Sequence, residues 1–148
     1  MEVQDKPQSL EKIEVDIVAE AQVKKTESKE KVAAALSNLL PERGELRFED
    51  DRVMFVSSSI ESLRHLKDQF RDRRVRSAAR RLLLSNQEEG SLQTYLLLNK
   101  QAATAGIGAL CDDPRESALG PIVLRLKSNQ LQSVIDWMTH GYDNVERS

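Results

Sequence analysis

Six arginines lie within eleven positions of this sequence, between residues 71 and 81. The segment 60–81 holds eight basic and three acidic residues and so carries a net charge of +5, whereas the whole chain carries −2. A guanidinium group offers phosphate oxygens two parallel N–H donors and keeps its charge at any physiological pH. Release of counterions from a polyphosphate would add to the affinity. The pattern therefore predicts a nucleic-acid-binding surface that contains Arg71, Arg73, Arg74, Arg76, Arg80 and Arg81.

Two alternative roles for these arginines stay open at the level of sequence. They could form a solvated helix face that is partly neutralised by ion pairs at helical spacing, such as Arg64–Asp68 and Asp68–Arg71. They could also contact an acidic surface of a partner protein or of a second subunit. Each role needs the arginines to face outward together, so the charge pattern alone does not separate them.

Aromatic residues make up only 4% of the chain, which bears on the kind of nucleic acid. Single strands are bound by exposed rings that stack on bases beside basic residues. Phe48, Phe55 and Phe70 fall at apolar positions and are expected in the core, which leaves Tyr95 and Tyr142 as candidate stacking residues. The sequence therefore favours structured or double-stranded RNA, contacted through its backbone and shape.

A second polar group consists of Asn99, Lys100 and Gln101, which directly follow a predicted strand. Lys100 could add a positive charge to the arginines, and the amides of Asn99 and Gln101 can both donate and accept hydrogen bonds. The alternative is structural, because amides at a strand end often cap neighbouring backbone groups. We include these three residues in the predicted RNA-binding surface.

Residue patterns for catalysis or metal binding are nearly absent. His65 and His140 are the only histidines and lack metal-ligand spacing, and Cys111 is the only cysteine. A structural zinc site needs four Cys or His ligands. The Gly-Ile-Gly run at 106–108 lacks the third glycine of a dinucleotide-binding loop. We therefore expect a non-catalytic protein with no metal or cofactor.

The composition is typical of a globular domain. The 148 residues are 39% hydrophobic and 31% charged. No apolar run approaches the roughly 20 residues that span a bilayer, so we expect no membrane association. A single cysteine excludes an intramolecular disulfide and favours a reducing compartment, which predicts a cytoplasmic protein. We expect a flexible arm at 1–10, one domain at 11–140 and a polar tail at 141–148.

Hydrophobic periodicity predicts the elements that position these groups. Apolar and polar residues alternate from 13 to 23, which indicates a strand with one buried face. A helix is predicted before Pro41, a hairpin over 46–57, strands at 92–98 and 122–126, and a last helix over 131–138 that ends at Gly141. Segments that do not alternate regularly between strand and helix are typical of an α+β fold.

The arginines fall on a predicted pair of helices. One apolar stripe runs from Ile60 to Phe70 and a second from Val75 to Leu83. At 100° per residue the two stripes are out of phase by more than about 100°, so one straight helix could not bury both. We therefore predict a break near Asp72. Burial of the second stripe would turn Arg73, Arg74, Arg76, Arg80 and Arg81 outward together.

Four short runs are distinctive. The most specific is Asn-Lys-Gln-Ala-Ala at 99–103; the others are Leu-Gly-Pro-Ile at 119–122, Asp-Trp at 136–137 and the helix end at 78–84. These runs resemble a family of uncharacterised archaeal proteins that is labelled RNA-binding. The similarity covers about residues 10–140. The resemblance implies the fold of the large-subunit ribosomal protein that binds 5S RNA, an antiparallel sheet with helices on one face. It also implies a homodimer.

Together these observations predict a non-catalytic α+β domain that binds structured RNA through its arginine-rich helix face. The alternative is a dimeric interaction or scaffold protein whose arginines contact a protein partner or its own second subunit. The two predictions differ in whether the arginines are exposed or buried by protein.

Overall fold

A computed structural model describes residues 13–116 and 118–139 of the chain. The predicted arm at 1–10 and tail at 141–148 lie outside the described residues, as do His140, Gly141 and Tyr142. The described strands are β1 (Asp16–Gln22), β2 (Glu45–Glu49), β3 (Arg52–Ser57), β4 (Gln93–Asn99), β5 (Leu110–Cys111) and β6 (Pro121–Lys127). The described α-helices are α1 (Lys29–Leu39), α2 (Arg64–Asp72), α3 (Arg76–Ser85), α4 (Lys100–Ala103) and α5 (Leu131–Thr139). Short 3-10 helices lie at Ile60–Leu63 and Pro114–Glu116.

The strands form one antiparallel sheet in the order β2-β3-β1-β6-β4-β5. β1 lies inside the sheet between β3 and β6, and its alternating sequence places Ile17, Ala19 and Ala21 on a fully buried face. Leu124 of β6 lies opposite Ala19, and Leu96 of β4 lies opposite Leu124, so the same face continues across the sheet. The predicted α+β fold with an antiparallel sheet is therefore confirmed.

The helices cover this buried face. α1 packs on β1 and β3, α3 packs on β4, and α5 packs against both α2 and α3. Leu36, Phe70, Leu83 and Ile135 are fully buried where these helices meet the sheet and one another. The result is a two-layer domain in which α2, α3 and α5 form one group of neighbouring helices.

The opposite face of the sheet is mostly open, but Cys111, which lies opposite Leu97 on this face, is buried. Partly exposed Val18 and Val123 alternate there with charged residues, as expected for an antiparallel sheet with one solvated face. Glu20 lies at the centre and accepts hydrogen bonds from Arg52 at 2.8 Å and from Arg125 at 2.9 Å. No described helix is long and apolar enough to cross a membrane.

The predicted break between the two arginine-bearing helices is confirmed, and its backbone geometry is defined. The N–H of Arg74 donates to the carbonyl of Arg71, and the N–H of Val75 donates to the carbonyl of Phe70. These two bonds form a Schellman motif, which ends a helix with one residue in the left-handed region. Arg74 takes that position with φ of 60°. The chain therefore turns sharply between α2 and α3 and buries both apolar stripes.

The short elements α4 and β5 were not predicted. The segment 102–110, which shows no clear periodicity, includes the end of α4 and the first residue of β5. α4 has four residues and β5 has two, so neither is long enough to produce a periodic pattern. Both are formed by contacts with β4, since Asn99 caps α4 and Leu98 pairs with Leu110.

Candidate nucleic-acid interface

The predicted arginines have three kinds of environment in the structure. Arg80 is on the side of α3 that faces α5, where its Nη1 donates to Asp136 Oδ1 at 2.8 Å and to Thr139 Oγ1 at 3.3 Å. Asp136 also accepts a hydrogen bond from Gln132. Arg80 therefore connects two helices, and its charge is partly neutralised, so the prediction that it faces outward with the others is wrong.

Arg71 and Arg73 lie near the end of α2 and make weaker contacts. Arg71 is half exposed and forms ion pairs with Asp72 at 3.0 Å and Asp68 at 3.6 Å. Arg73 is exposed and donates to the carbonyl of Gly108 at 3.3 Å. Exposed ion pairs of this kind contribute little to stability because solvent screens them. These two guanidinium groups can therefore exchange their present partners for a phosphate at low cost.

Arg74 and Arg81 point into solvent. Both are exposed, and neither guanidinium group has a polar partner within residues 13–116 and 118–139. Arg74 belongs to the turn between α2 and α3, not to the helix as predicted, because the Schellman motif ends α2 there. Arg76 begins α3 and is half buried. The turn and α3 thus expose the guanidinium groups of Arg74 and Arg81, and Arg76 is partly exposed at the start of α3.

Trp137 lies among basic residues that sequence analysis did not connect with it. The guanidinium carbon of Arg64 is 5.4 Å from the centre of the Trp137 ring, and Lys67 Nζ is 5.3 Å from it. Both distances allow attraction between a cation and the ring face. The ring is partly exposed and also packs against the core. α5 therefore brings an aromatic ring to the basic side of α2.

The charges near Trp137 affect one another. Burial lowers the pKa of Lys67, and the positive charge of Arg64 lowers it further. Asp68 has the opposite effect on this pKa, and Arg76 and Arg71 make smaller contributions that lower it. Glu61 accepts two hydrogen bonds from Arg64, at 2.8 and 3.1 Å, and this contact lowers the pKa of the carboxyl group. Excess positive charge thus concentrates between α2 and the start of α3. A phosphate would find several donors there.

Asn99, Lys100 and Gln101 do not join the arginines. Asn99 Oδ1 accepts from the N–H of Ala102 at 2.8 Å and caps α4, which is the structural role considered in the sequence analysis. Gln101 is exposed on α4, which packs against α1. The arginines instead contact α5 and the loop at Gly108.

Lys100 is buried, with only 2% of its surface exposed. Its ammonium group donates to the carbonyl oxygens of Gln22 and Leu119, at 2.7 and 2.6 Å, and to Glu27 Oε1 at 3.0 Å. The suggestion that Lys100 adds an exposed charge to the arginines is therefore wrong. A buried lysine needs nearby acceptors, and here they come from three separate parts of the chain.

Comparisons with known proteins agree with the sequence resemblance. A protein-family model described as RNA binding matches residues 16–128. A UPF0201 protein of Methanothermobacter thermautotrophicus is 36% identical over 122 residues, which cover 82% of this chain and 89% of that protein. A UPF0201 protein of Sulfurisphaera tokodaii is 33% identical over 83% of this chain and 86% of its own length.

Solved structures show the same similarity. A crystal structure of an uncharacterized UPF0201 protein matches with a TM-score of 0.70 and 26% identity over 84% of this chain and 92% of that one. The crystal structure of a UPF0201 protein from Methanococcus jannaschii matches with a TM-score of 0.67 and 25% identity over the same shares. The likeness to a ribosomal protein stays a prediction. The chain belongs to the archaeal UPF0201 family, whose matching family model is described as RNA binding.

Proposed function

We propose that this protein binds structured RNA, without catalysis, through a basic surface on α2, α3 and the turn between them. The surface consists of Lys67, Arg71, Arg73, Arg74, Arg76 and Arg81. The observation that carries the proposal is the exposure of Arg74 and Arg81, which have no carboxylate partner among the described residues. The family description as RNA binding supports the same ligand.

The basic surface suits phosphates better than an acidic protein partner. Its guanidinium and ammonium groups come from a turn and two helices and therefore point in several directions. The phosphates of a folded RNA are likewise arranged along a curved backbone. Its ion pairs with Asp68 and Asp72 are exposed, so phosphate oxygens can replace these carboxylates. Arg80 is excluded from the surface because it holds α3 to α5.

Fluorescence anisotropy with a labelled RNA hairpin across a salt series tests the proposal. The variant R74E/R81E reverses two exposed charges whose guanidinium groups make no described polar contact. The matched control R47E/R115E reverses two exposed arginines outside the surface, whose partners are the nearby Glu45 and Asp113. Both variants change the net charge equally, so only the position of the charge differs.

We expect R74E/R81E to weaken binding about tenfold or more and to reduce the slope of log K against log salt by about 1.5, because two phosphate contacts are lost. The control should stay within about twofold of the wild type, since its charges lie outside the contact. Equal losses in both variants would mean that only net charge matters. If the wild type fails to bind even at low salt, RNA binding by this surface is wrong.

The alternative function, a homodimeric interaction protein, is favoured by a different surface. The uncovered face of the sheet carries as many acidic as basic side chains and places partly exposed Val18, Met54, Val56, Leu97 and Val123 among them. A neutral face with apolar side chains suits a second copy of this chain better than a polyanion. Sedimentation velocity over a range of concentrations tests this alternative: a monomer throughout would contradict it.

A further inference from the structure

Trp137 adds to the basic surface an aromatic ring, which the arginines cannot provide. It is the only tryptophan in the sequence, its ring is partly exposed, and two cations approach it at 5.3 and 5.4 Å. Nucleic-acid bases stack on such rings, and every base has a flat face that can do so. A ring beside phosphate-binding groups is the arrangement that recognises a nucleotide whose base is not already stacked in a helix.

The two cations over the ring are held differently. Arg64 makes two hydrogen bonds to Glu61, so its guanidinium group is fixed beside the ring. Lys67 has a flexible four-carbon side chain and lies one helical turn further along α2. A phosphate near Lys67 and Arg76 would attract the ammonium group away from the ring. That movement would expose ring surface to a base.

The charge distribution favours such an exchange. The positive charges of Arg64, Arg76 and Arg71 act on Lys67, and the negative charge of Asp68 opposes them. Like charges in a partly buried site repel one another, and a bound phosphate relieves this repulsion. The contact between Lys67 and the ring only partly compensates for the repulsion, since the attraction between a cation and a ring is weak at a partly exposed site.

We propose that Trp137, Lys67 and Arg76 form a subsite for one unpaired nucleotide of the RNA, in which the base stacks on Trp137 and the phosphate binds Lys67 and Arg76. This inference rests on the proposed function and specifies its ligand as structured RNA with a bulge or loop. A fully paired duplex cannot place a base on the ring, because its bases are stacked inside the helix. Arg64 forms one side of the subsite and is kept there by Glu61.

Two RNA hairpins with the same stem test the inference, one fully paired and one with a single unpaired adenosine in the stem. Both are closed by the same short, rigid loop, so they differ in one unpaired base. Anisotropy gives the affinities, and tryptophan fluorescence reports on Trp137 alone because the sequence has no other tryptophan. We expect the bulged hairpin to bind about tenfold more tightly than the paired one. It should also quench the fluorescence strongly.

The variant W137L should lose the preference for the bulge and keep the affinity for the paired hairpin, because the phosphate contacts remain. Y95L is the matched control, since Tyr95 is an exposed ring on the opposite, uncovered face of the sheet. Y95L should keep the preference. If W137L does not fold, the fluorescence of the wild type and the milder variant W137F still decide the question. W137F retains a ring and should keep most of the preference.

The possible outcomes separate this inference from the proposed function. If both hairpins bind equally, or if the bulged one binds without quenching, the nucleotide subsite is wrong and phosphate binding by the basic surface stands. A preference that survives in W137L also overturns the subsite. If neither hairpin binds at low salt, the proposed function itself fails and the subsite fails with it.

Discussion

Arg74 occupies a backbone position that glycine usually takes. It is the left-handed residue of the motif that ends α2, and its φ is 60°. A residue with a Cβ atom costs about 1–2 kcal/mol in this conformation, whereas glycine adopts it freely. The side chain makes no polar contact with the described residues. Arg74 lowers stability and its side chain makes no polar contact, so its charge is best explained by a role in binding. Residues with a strained backbone often cluster at functional sites.

Arg74→Gly should therefore raise stability and weaken RNA binding at the same time. We expect the free energy of unfolding to rise by about 0.5–1 kcal/mol, because the strain is relieved while the unfolded chain gains some entropy. Urea unfolding followed by circular dichroism measures this change. RNA affinity in the same preparation should fall severalfold.

Arg43 provides a matched control for this prediction. It also has a positive φ, of 65°, and lies before β2, outside the basic surface. Arg43→Gly should give a similar gain in stability and leave RNA affinity unchanged. An equal loss of affinity in both variants would show that net charge, and not the position of Arg74, governs binding.

Lys100 is important for the fold and not for the basic surface. Lys100→Met keeps the volume of the side chain but removes the ammonium donor from two carbonyl groups and from the mostly buried carboxylate of Glu27. Among the described contacts, this carboxylate then keeps only its bond from the N–H of Lys24. Removing one partner of a buried ion pair costs about 3–5 kcal/mol. We expect a loss of about 3 kcal/mol in the free energy of unfolding by urea titration. The double variant E27Q/K100M should recover part of this loss, and an equal loss in both would contradict the role of the pair.

At the scale of elements, features that depend on the local sequence could be predicted, whereas features that depend on long-range contacts could not. The alternation over β1 and the phase change at Asp72 are written in neighbouring residues, so the strand and the helix break could be predicted. The contact of Trp137 with Arg64 and Lys67 depends on how α5 packs against α2, some seventy residues away along the chain. The sequence did contain one indication of this contact. Arg64 and Lys67 flank an apolar stripe, and an apolar stripe must pack on another element. The sequence does not say which element that is.

The packing of α5 on α3 also gives two adjacent arginines different roles. Arg80 joins α3 to α5 through Asp136, whereas Arg81 points into solvent. Arg80→Gln should lower the free energy of unfolding by about 0.5 kcal/mol, as expected for a partly exposed ion pair. Its effect on RNA affinity should be small. Arg81→Gln should leave stability within about 0.5 kcal/mol of the wild type and lower the salt slope by about 0.8. Urea unfolding and anisotropy on both variants test this division, and the reverse pattern would contradict it.

At the scale of the whole molecule, the two layers give the domain two different sides. The net charge of the chain is −2, yet the segment 60–81 carries +5, so the rest of the molecule is acidic. RNA should therefore approach in one orientation, with the helices toward the phosphates and the neutral sheet face turned away. Because the two sides do not overlap, any self-association through the sheet would leave the basic surface free.

This separation predicts that variants on the two sides act independently. The variant V18T/V123T keeps the shape of two side chains on the uncovered sheet face but replaces a methyl group of each with a hydroxyl group. Each two-fold interface would lose four such groups, so we expect a dimer to weaken about tenfold or more. RNA affinity per protomer should not change. R74E/R81E should show the opposite pattern, with normal self-association and weak RNA binding. Sedimentation velocity and anisotropy on both variants measure the two properties. Parallel losses in either variant would mean that RNA binding requires the assembled dimer, and the two sides would then have to be treated as one functional unit.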